Sequence, residues 1–220
     1  MSKQQGRLDL DHLKNKIAVV TGAGNNGIGW GLAKHAALEL GMHVVLLDLH
    51  AKVVESACLK LRGLVEDRRI IGVQCDVTQP DELSRCVSTI LQEIPDTDIG
   101  AVFANAGVIF NNTILKSDIE DWQTTLDVNV IGVVATAKAF VPVLQSQPGP
   151  SVFCSTASVG GLVRGDGGAA AYQASKHAVV ALTESLSFEI AKKSPQIRVH
   201  VLCPCIVSSQ ESSVVSCART

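Results

Sequence analysis

The only tyrosine of the chain, Tyr172, lies four residues before Lys176 in the stretch AAYQASKHAVVALTESL (170–186). The stretch is typical of a helix, and residues four apart lie on the same helix face. A phenol and an ammonium in this arrangement can be ordinary neighbours on a solvated surface. They can also form a proton-transfer pair, because a phenol is a poor base at neutral pH and a nearby cation favours its deprotonated form.

A glycine-rich segment, TGAGNNGIGWG, follows the first apolar run of the sequence. Gly22, Gly24 and Gly27 satisfy the spacing G-x-G-x-x-G, which lets a backbone turn tightly and approach a pyrophosphate at a helix N-terminus. Asp48 closes the second apolar run, where a carboxylate can accept hydrogen bonds from ribose hydroxyls. Each feature also occurs in proteins without such a ligand, but a loop between a strand and a helix together with this acid favours dinucleotide binding.

The elements that must position these residues are short apolar runs that alternate with helical segments. The runs cover residues 16–22, 43–49, 70–77, 99–107, 150–158 and 197–204. They lack the polar alternation of a half-exposed sheet, which indicates strands that are covered on both faces. The sequence therefore predicts an α/β fold, a doubly wound parallel sheet of the Rossmann type with six strands.

Other polar residues also fall at the ends of predicted strands. Asp76 ends the third run, Asn105 begins NAG (105–107) at the end of the fourth, and Ser158 follows the fifth. Ligands of doubly wound sheets bind beyond the carboxyl ends of the strands. We therefore expect these groups to gather at one edge of the sheet with Tyr172 and Lys176.

A long helix is predicted between the fourth and fifth strands. Ser117 and Glu120 have the spacing of a capping box, and the helical pattern continues to about Gln145. Asn129 lies in its middle, although asparagine has a low helix propensity and a buried amide needs hydrogen-bond partners. This position therefore predicts a functional or structural role for the amide.

Composition narrows the class of protein. The 220 residues carry a formal net charge of −2, which gives no electrostatic reason to expect binding to nucleic acid or to an anionic membrane. The polar N-terminus lacks a signal sequence and no apolar run has the length of a membrane span, so a cytoplasmic protein is predicted. Cys203 and Cys205 have no second ligand pair, and no metal is expected.

We predict one dinucleotide-binding and catalytic domain over 1–220, with an N-terminal extension (1–15) and an irregular tail (208–220).

With these motifs in this order, the chain resembles the short-chain dehydrogenase/reductase family, in its compact single-domain subclass, over about residues 16–207. The resemblance rests on TGAGNNGIG, Asp76, NAG, Asn129, a serine 14 residues before the tyrosine, and Y-x-x-x-K. It implies a catalytic tetrad of Asn129, Ser158, Tyr172 and Lys176. Ser155 is a less favoured alternative to Ser158.

The resemblance implies an oxidoreductase that transfers a hydride between a nicotinamide cofactor and a secondary alcohol or ketone. Tyr172 would be the general acid/base, Lys176 would stabilise its deprotonated form, Ser158 would hold the substrate oxygen and Asn129 would order a water. Asp48 favours NAD over NADP, since a carboxylate repels a 2′-phosphate. The cofactor-binding residues implied are Gly22, Asn26, Gly27, Ile28, Gly29, Asp48, Leu49, Asp76, Val77, Asn105, Ala106, Gly107, Tyr172, Lys176, Pro204 and Val207.

The sequence departs from the family pattern in three places. The glycine loop is one residue longer, Cys205 replaces a glycine, and the chain ends soon after the sixth strand, so the family's seventh strand is expected to be missing. A dinucleotide-binding protein with little or no turnover is therefore the alternative function. An epimerase or dehydratase would need a large further domain, and a methyltransferase would not explain the Tyr–Lys pair. The family also implies a homodimer or homotetramer.

Overall fold

The computed structural model describes residues 10–24, 27–163 and 168–205. Within these ranges six parallel strands form one sheet of order β3-β2-β1-β4-β5-β6, as predicted. The order reverses between β1 and β4, which is where doubly wound sheets bind their ligands. The strands are β1 (Ile17–Thr21), β2 (His43–Asp48), β3 (Ile70–Gln74), β4 (Ile99–Ala104), β5 (Ser151–Thr156) and β6 (Ile197–Leu202).

Helices cover both faces of the sheet. Ile17 and Val19 of β1 belong to one buried core, and Ala18 and Val20, which alternate with them, belong to a second. The helices are α1 (Ile28–Leu38), α2 (Ala51–Arg62), α3 (Pro80–Glu93), α4 (Ile119–Leu126), α5 (Gly132–Ser146) and α6 (Ala170–Lys193). The first core includes residues of α3, α5 and α6, whereas the second includes residues of α1 and α2. Burial on both faces explains the continuous apolar runs of β1, β2 and β4. In the edge strands β3 and β6, buried or half-buried residues alternate with more exposed ones, so the prediction that every strand is covered on both faces is wrong for these two.

The long helix between β4 and β5 is continuous, but its predicted start is wrong. Helix α4 begins at Ile119, its N-cap residue Asp118 makes no side-chain cap, and no capping box forms. The Ser117 hydroxyl instead accepts the Trp122 indole N–H at 2.8 Å and donates to the Ile114 carbonyl at 3.2 Å. The indole therefore takes the serine oxygen that the predicted cap required.

A single π-helical turn, Asp127–Ile131, joins α4 to α5. The 28-residue helix that results (119–146) is long and apolar enough to cross a bilayer by length and composition, although 44% of its most apolar window is buried inside the protein. Packing of α5 against β4 and β5 explains this apolar composition without a membrane.

All six strands end one to three residues earlier than the sequence predicted, and the difference is largest for β3 and β4. Strand β3 stops at Gln74 and β4 stops at Ala104, so Asp76 and Asn105 lie in the loops beyond them. The Asp76 N–H bonds the Glu82 carboxylate at 2.8 Å instead of joining a strand ladder. Side chains at the sheet edge thus draw the backbone away from the sheet and place both residues in the loops beyond it.

Candidate functional site

A cleft of about 480 Å³ opens at the carboxyl ends of the strands, beside the point where the strand order reverses. The predicted residues in its wall are Gly22, Gly27, Ile28, Gly29, Asp48, Leu49, Asp76, Val77, Asn105, Ala106, Gly107, Tyr172 and Lys176. Seven residues outside the predicted catalytic and cofactor sets also line the cleft, namely His50, Cys75, Val108, Ile109, Val128, Thr156 and Ala157. Most of these directly adjoin a predicted residue, so the strand-end rule already indicated their neighbourhood.

The glycines of the loop after β1 allow very close backbone approaches. Gly22 has φ +63°, and a Cβ at this position would lie 2.7 Å from the Cα of Ala106. A Cβ on Gly29 would overlap the Gly22 carbonyl oxygen and lie 2.6 Å from Nδ2 of Asn105. A side chain at Gly22 would push the loop away from the segment after β4, and one at Gly29 would push α1 away from the loop. Either change would disturb the tight turn that a phosphate cradle needs.

Thr21, which the sequence analysis missed, joins the loop to the end of β4. Its hydroxyl accepts the N–H groups of Asn105 at 2.9 Å and Ala106 at 3.0 Å. The Asn105 amide donates in return to the carbonyl oxygens of Thr21 at 3.1 Å and Gly22 at 3.4 Å. The NAG segment therefore braces the glycine loop, and the threonine before Gly22 was the signal that could have indicated this.

Asp48 lies at the end of β2 with its carboxylate against the glycine loop. One oxygen accepts the Gly24 N–H at 2.9 Å and the other accepts the His50 N–H at 3.2 Å. A Cβ on Gly24 would lie 2.8 Å from this carboxylate, so only glycine fits beside it. The negative charge therefore has a fixed position in the cleft wall.

Asp76 organises its own turn beyond β3. Its carboxylate accepts the Thr78 N–H at 2.9 Å and the Thr78 hydroxyl at 2.7 Å. These bonds fix the turn that carries Val77, which lines the cleft.

Tyr172 and Lys176 occupy the other end of the cleft, on the first turns of α6. The Lys176 ammonium lies 5.5 Å from the centre of the Tyr172 ring and donates to the Thr156 carbonyl at 2.8 Å. Lys176 is only 3% exposed, and this burial lowers its pKa from 10.5 to about 8, an effect that the nearby Cys203 opposes. The site therefore holds a half-buried phenol against a largely desolvated cation.

Asn129 lies behind this pair in the π-helical turn and is completely buried. Its amide oxygen accepts the Val108 N–H at 2.7 Å, and its amide nitrogen donates to the Val108 carbonyl at 2.9 Å. The nitrogen also donates at 3.0 Å to Ser175, whose hydroxyl donates to the Tyr172 carbonyl at 2.6 Å. Asn129 therefore connects α4–α5 to the loop after β4 and to α6, and Ser175 is a second participant that sequence analysis missed.

Ser158 is not in the wall of the cleft. It begins the short helical turn Val159–Gly161, and its hydroxyl accepts the Gly160 N–H at 3.1 Å. The alternative, Ser155, is fully buried within β5, outside the cleft wall. Pro204 lies near Ser158, since its carbonyl accepts the Val159 N–H at 2.8 Å, but it does not line the cleft either. The predicted contacts of Asn26 and Val207 and the tail 208–220 lie outside the described residues.

This geometry combines three chemical capacities. The glycine loop at the start of α1 offers backbone N–H groups to an anion, and the Asp48 carboxylate offers acceptors to hydroxyl groups. Tyr172 offers a proton beside the Lys176 charge. Among the described residues no three histidine, cysteine or acidic side chains come together as metal ligands. The arrangement suits an extended ligand with phosphates in its middle and a group at one end that exchanges a proton.

Comparison with known proteins identifies similar sequences and structures, and those that follow are short-chain dehydrogenases or other dehydrogenases. The family model described as short chain dehydrogenase matches residues 16–216. The 1-deoxy-11-beta-hydroxypentalenate dehydrogenase of Streptomyces arenae is 34% identical over 197 residues, covering 88% of this chain and 67% of that protein. The meso-2,3-butanediol dehydrogenase of Serratia marcescens is 33% identical over 195 residues, covering 89% of this chain and 72% of that protein. A short-chain dehydrogenase/reductase from Burkholderia phymatum, solved in complex with NAD, superposes with a TM-score of 0.82 at 32% identity, covering 89% of this chain and 67% of that one.

Proposed function

Since the chain belongs to the short-chain dehydrogenase family, we propose that it is an NAD-dependent oxidoreductase that interconverts a secondary alcohol and its ketone, with Tyr172 as the general acid/base. One observation carries the proposal. The Tyr172 phenol lines the cleft, and the centre of its ring lies 5.5 Å from the buried ammonium nitrogen of Lys176. An ordinary surface pair would not bury its lysine to 3% exposure.

The residues of the cleft fit a dinucleotide. Backbone N–H groups at the start of α1 would bind the pyrophosphate, and the Asp48 carboxylate would bind the adenosine ribose. The 480 Å³ of the cleft is within the range of sites that bind small molecules and cofactors. When bound, nicotinamide supplies the hydride chemistry, while the protein supplies orientation and electrostatics.

Two features support NAD over NADP. Asp48 presents a fixed negative charge at the adenosine end of the cleft, where it would repel a 2′-phosphate. No lysine or arginine belongs to the cleft wall at this end among the described residues, and Lys176, the only such residue in the wall, lies beside Tyr172.

The proton path begins at the Tyr172 hydroxyl, which would donate to the carbonyl oxygen of a ketone during reduction and accept the alcohol proton during oxidation. The Lys176 charge favours the phenolate that remains after donation. One of the three ammonium hydrogens already binds the Thr156 carbonyl, so two remain for a ribose hydroxyl or a water. Ser158 would hold the substrate oxygen through its own hydroxyl hydrogen, since the bond from the Gly160 N–H uses only an acceptor position of the hydroxyl.

Asn129 would act by positioning. Both of its amide hydrogens bind protein groups, but its oxygen accepts only the Val108 N–H among the contacts described and keeps one lone pair. A Cβ on Gly107 would lie 3.2 Å from this oxygen and 3.3 Å from the Lys176 nitrogen, so the two groups flank one glycine. A water bound between them would connect Lys176 to solvent for proton exchange.

We further propose a cytoplasmic homo-oligomer that forms through the α4–α5 helix and α6. Apolar side chains on these contacting helices are strongly exposed, with Ile119 at 73%, Ile131 at 50% and Phe188 at 80%. Covering such residues with the same surface of a second subunit would remove apolar area from water.

The test is a panel of secondary alcohols and ketones, each assayed with NAD(H) and with NADP(H) by nicotinamide absorbance. We expect turnover on at least one pair with a higher kcat/KM for NAD(H). Tight NADH binding without turnover on any member would instead support the alternative, a dinucleotide-binding protein that is not an enzyme.

A further inference from the structure

Two loops border the part of the cleft in which Tyr172 lies. The first follows β4 and reaches α6, where the Ala170 N–H, two residues before Tyr172, donates to the Asn112 carbonyl at 3.2 Å. The second follows β5 and packs on the same helix, since a Cβ on Gly161 would lie 2.5 Å from the Lys176 carbonyl oxygen. Both loops therefore lie against the first two turns of α6, which carry the proposed proton donor.

These loops expose apolar side chains beside the cleft. Ile109 of the first loop lines the cleft together with Tyr172, and it is exposed. Val159, Leu162 and Val163 of the second loop are exposed as well. We call these four apolar residues, Ile109, Val159, Leu162 and Val163, the apolar rim. An exposed apolar surface at the mouth of a cleft is typical of a ligand-binding site.

Neither loop carries a charged residue in the part next to the cleft. Residues 108–115 read VIFNNTIL, and residues 156–163 read TASVGGLV. The acidic residues in the described wall of the cleft, Asp48 and Asp76, come at the ends of β2 and β3, on the other side of β1 from β4 and β5. The loops therefore offer a substrate apolar contacts but no partner for a charged group.

We propose that the substrate is an uncharged secondary alcohol or ketone with an apolar carbon chain, and that the apolar rim binds this chain. The inference rests on the proposed function, because the oxygen of the substrate must reach the Tyr172 hydroxyl in the cleft wall. From that point the chain extends over the two loops and covers the rim. The substrate oxygen then remains the one polar group that the site has to satisfy.

The balance of burial decides against a charged substrate. Each methylene that leaves water for an apolar surface favours binding by about fourfold when it is fully buried. A carboxylate on the same chain would lose part of its hydration and gain no cation from either loop, which makes its transfer unfavourable. Affinity should therefore rise with the length of an apolar chain and fall when the chain ends in a charge.

The experiment measures kcat/KM with NADH for 2-butanone, 2-hexanone, 2-octanone and 7-oxooctanoate. The last compound has the same number of carbons as 2-octanone but ends in a carboxylate. We expect kcat/KM to rise by about two- to fourfold for each added methylene, and to be at least about tenfold higher for 2-octanone than for 7-oxooctanoate. Equal values along the series, or a preference for the carboxylate, would overturn the proposal.

A binding measurement separates this inference from the proposed function. Calorimetric titration of the ketones into protein saturated with NAD involves no turnover, because both the ketone and the cofactor are already oxidised. If no ketone is reduced with NADH, the proposed function fails, whereas the order of the ketone affinities still decides the substrate class. If the protein binds no NAD, the same titration without cofactor decides it. Binding of 7-oxooctanoate as tight as that of 2-octanone would contradict an apolar site.

Variants of Leu162 test whether the rim makes the contact. Leu162→Asn should lower kcat/KM for 2-octanone by at least about fivefold and leave the value for 2-butanone within about twofold, since the shorter chain reaches less of the rim. Leu162→Arg should raise the value for 7-oxooctanoate relative to 2-octanone by at least about tenfold, because it supplies the missing cation. The position is 57% exposed, so neither variant should unfold the protein.

Leu64→Asn is the matched control. Leu64 is 50% exposed, and it lies between α2 and β3, at the edge of the sheet opposite the cleft. This variant should change no ratio between ketones. If the rim instead binds a second subunit, Leu162→Arg would change the sedimentation coefficient and leave the ketone ratios as they are in wild type, and that result would overturn the proposal.

Discussion

Lys176 is the residue whose burial and charge conflict most directly. It is 3% exposed, and burial lowers its pKa from 10.5 to about 8. Its ammonium donates a hydrogen bond to the Thr156 carbonyl. Burying a charged ammonium away from water costs folding free energy. Such a cost is typical of residues that are retained for their chemistry.

This conflict predicts an unusual dependence of stability on pH. Below pH 8 both the folded and the unfolded chain carry the Lys176 proton, and the cost of burial is present in full. Between pH 8 and 10.5 mainly the unfolded chain keeps the proton, so raising the pH favours the folded state by up to about 3 kcal/mol. Lys176→Met should lose this contribution.

Denaturant unfolding at pH 7, 8, 9 and 10 tests this prediction. The free energy of unfolding of wild type should rise relative to that of the variant as the pH rises. Parallel curves of unfolding free energy against pH would contradict a buried ammonium.

Asp48 should determine which cofactor is preferred. Asp48→Ala removes the negative charge and both backbone hydrogen bonds of the carboxylate. We expect the ratio of kcat/KM for NAD(H) over NADP(H) to fall by at least about tenfold, mainly because NADP(H) is no longer repelled. Asp48→Asn keeps an acceptor oxygen without the charge and should change the ratio similarly if repulsion is the cause. An unchanged ratio in both variants would show that another group discriminates between the cofactors.

The glycine loop and α1 must approach each other closely enough to exclude a single methyl group. A Cβ on Gly29, which is buried, would overlap the Gly22 carbonyl oxygen, whereas a Cβ on Gly31, at an exposed position two residues later in α1, would meet nothing within 4 Å. Gly29→Ala should therefore weaken NADH binding by at least about tenfold and destabilise the fold. Gly31→Ala should leave binding unchanged and stabilise the helix by about 0.5–1 kcal/mol. Equal behaviour of the two variants in titration and thermal unfolding would contradict the close approach.

The order and type of these elements could be predicted because each strand carries its own apolar run and each of the first five is followed by a helical pattern. Their ends could not be predicted, since the end of β3 depends on a hydrogen bond from Asp76 to Glu82, which is a tertiary contact. The π-helical turn likewise depends on the contact of Asn129 with Val108, far from it in the sequence. The sequence indicated that Asn129 was unusual but could not show why.

Part of the candidate site could be predicted from the sequence, and part of it could not. Residues at strand ends were predicted as a group because parallel strands share one edge, and most of them line the cleft. Ser158 was predicted both from its place after the fifth strand and from the family motif, but it does not line the cleft, and its hydroxyl accepts a hydrogen bond within its own turn. Ser175 was missed because a hydroxyl that braces the backbone of a helix has no sequence signal distinct from an ordinary helix residue, whereas the place of Thr21 directly before the first glycine of the loop could have indicated its role.

The exposed apolar surface of α4–α5 and α6 predicts association of whole subunits. Phe188→Glu places a charge on the most exposed of these side chains, which is 80% exposed, and should shift the protein toward monomer in sedimentation velocity. Leu59→Glu is the matched control, because Leu59 is 61% exposed on α2, which belongs to the other layer of helices. Equal mass for all three proteins would contradict an interface on these helices.

The most direct test of the proposed chemistry compares turnover and cofactor affinity in Tyr172→Phe. The substitution removes one hydroxyl and keeps the ring that lies against Lys176. With the substrate found in the panel, kcat should fall by about 10²–10⁴-fold, the usual contribution of a general acid. NADH affinity should stay within a few fold, since the glycine loop and Asp48 are the groups proposed to contact the phosphates and the ribose. Activity above about a tenth of wild type would contradict Tyr172 as the proton donor.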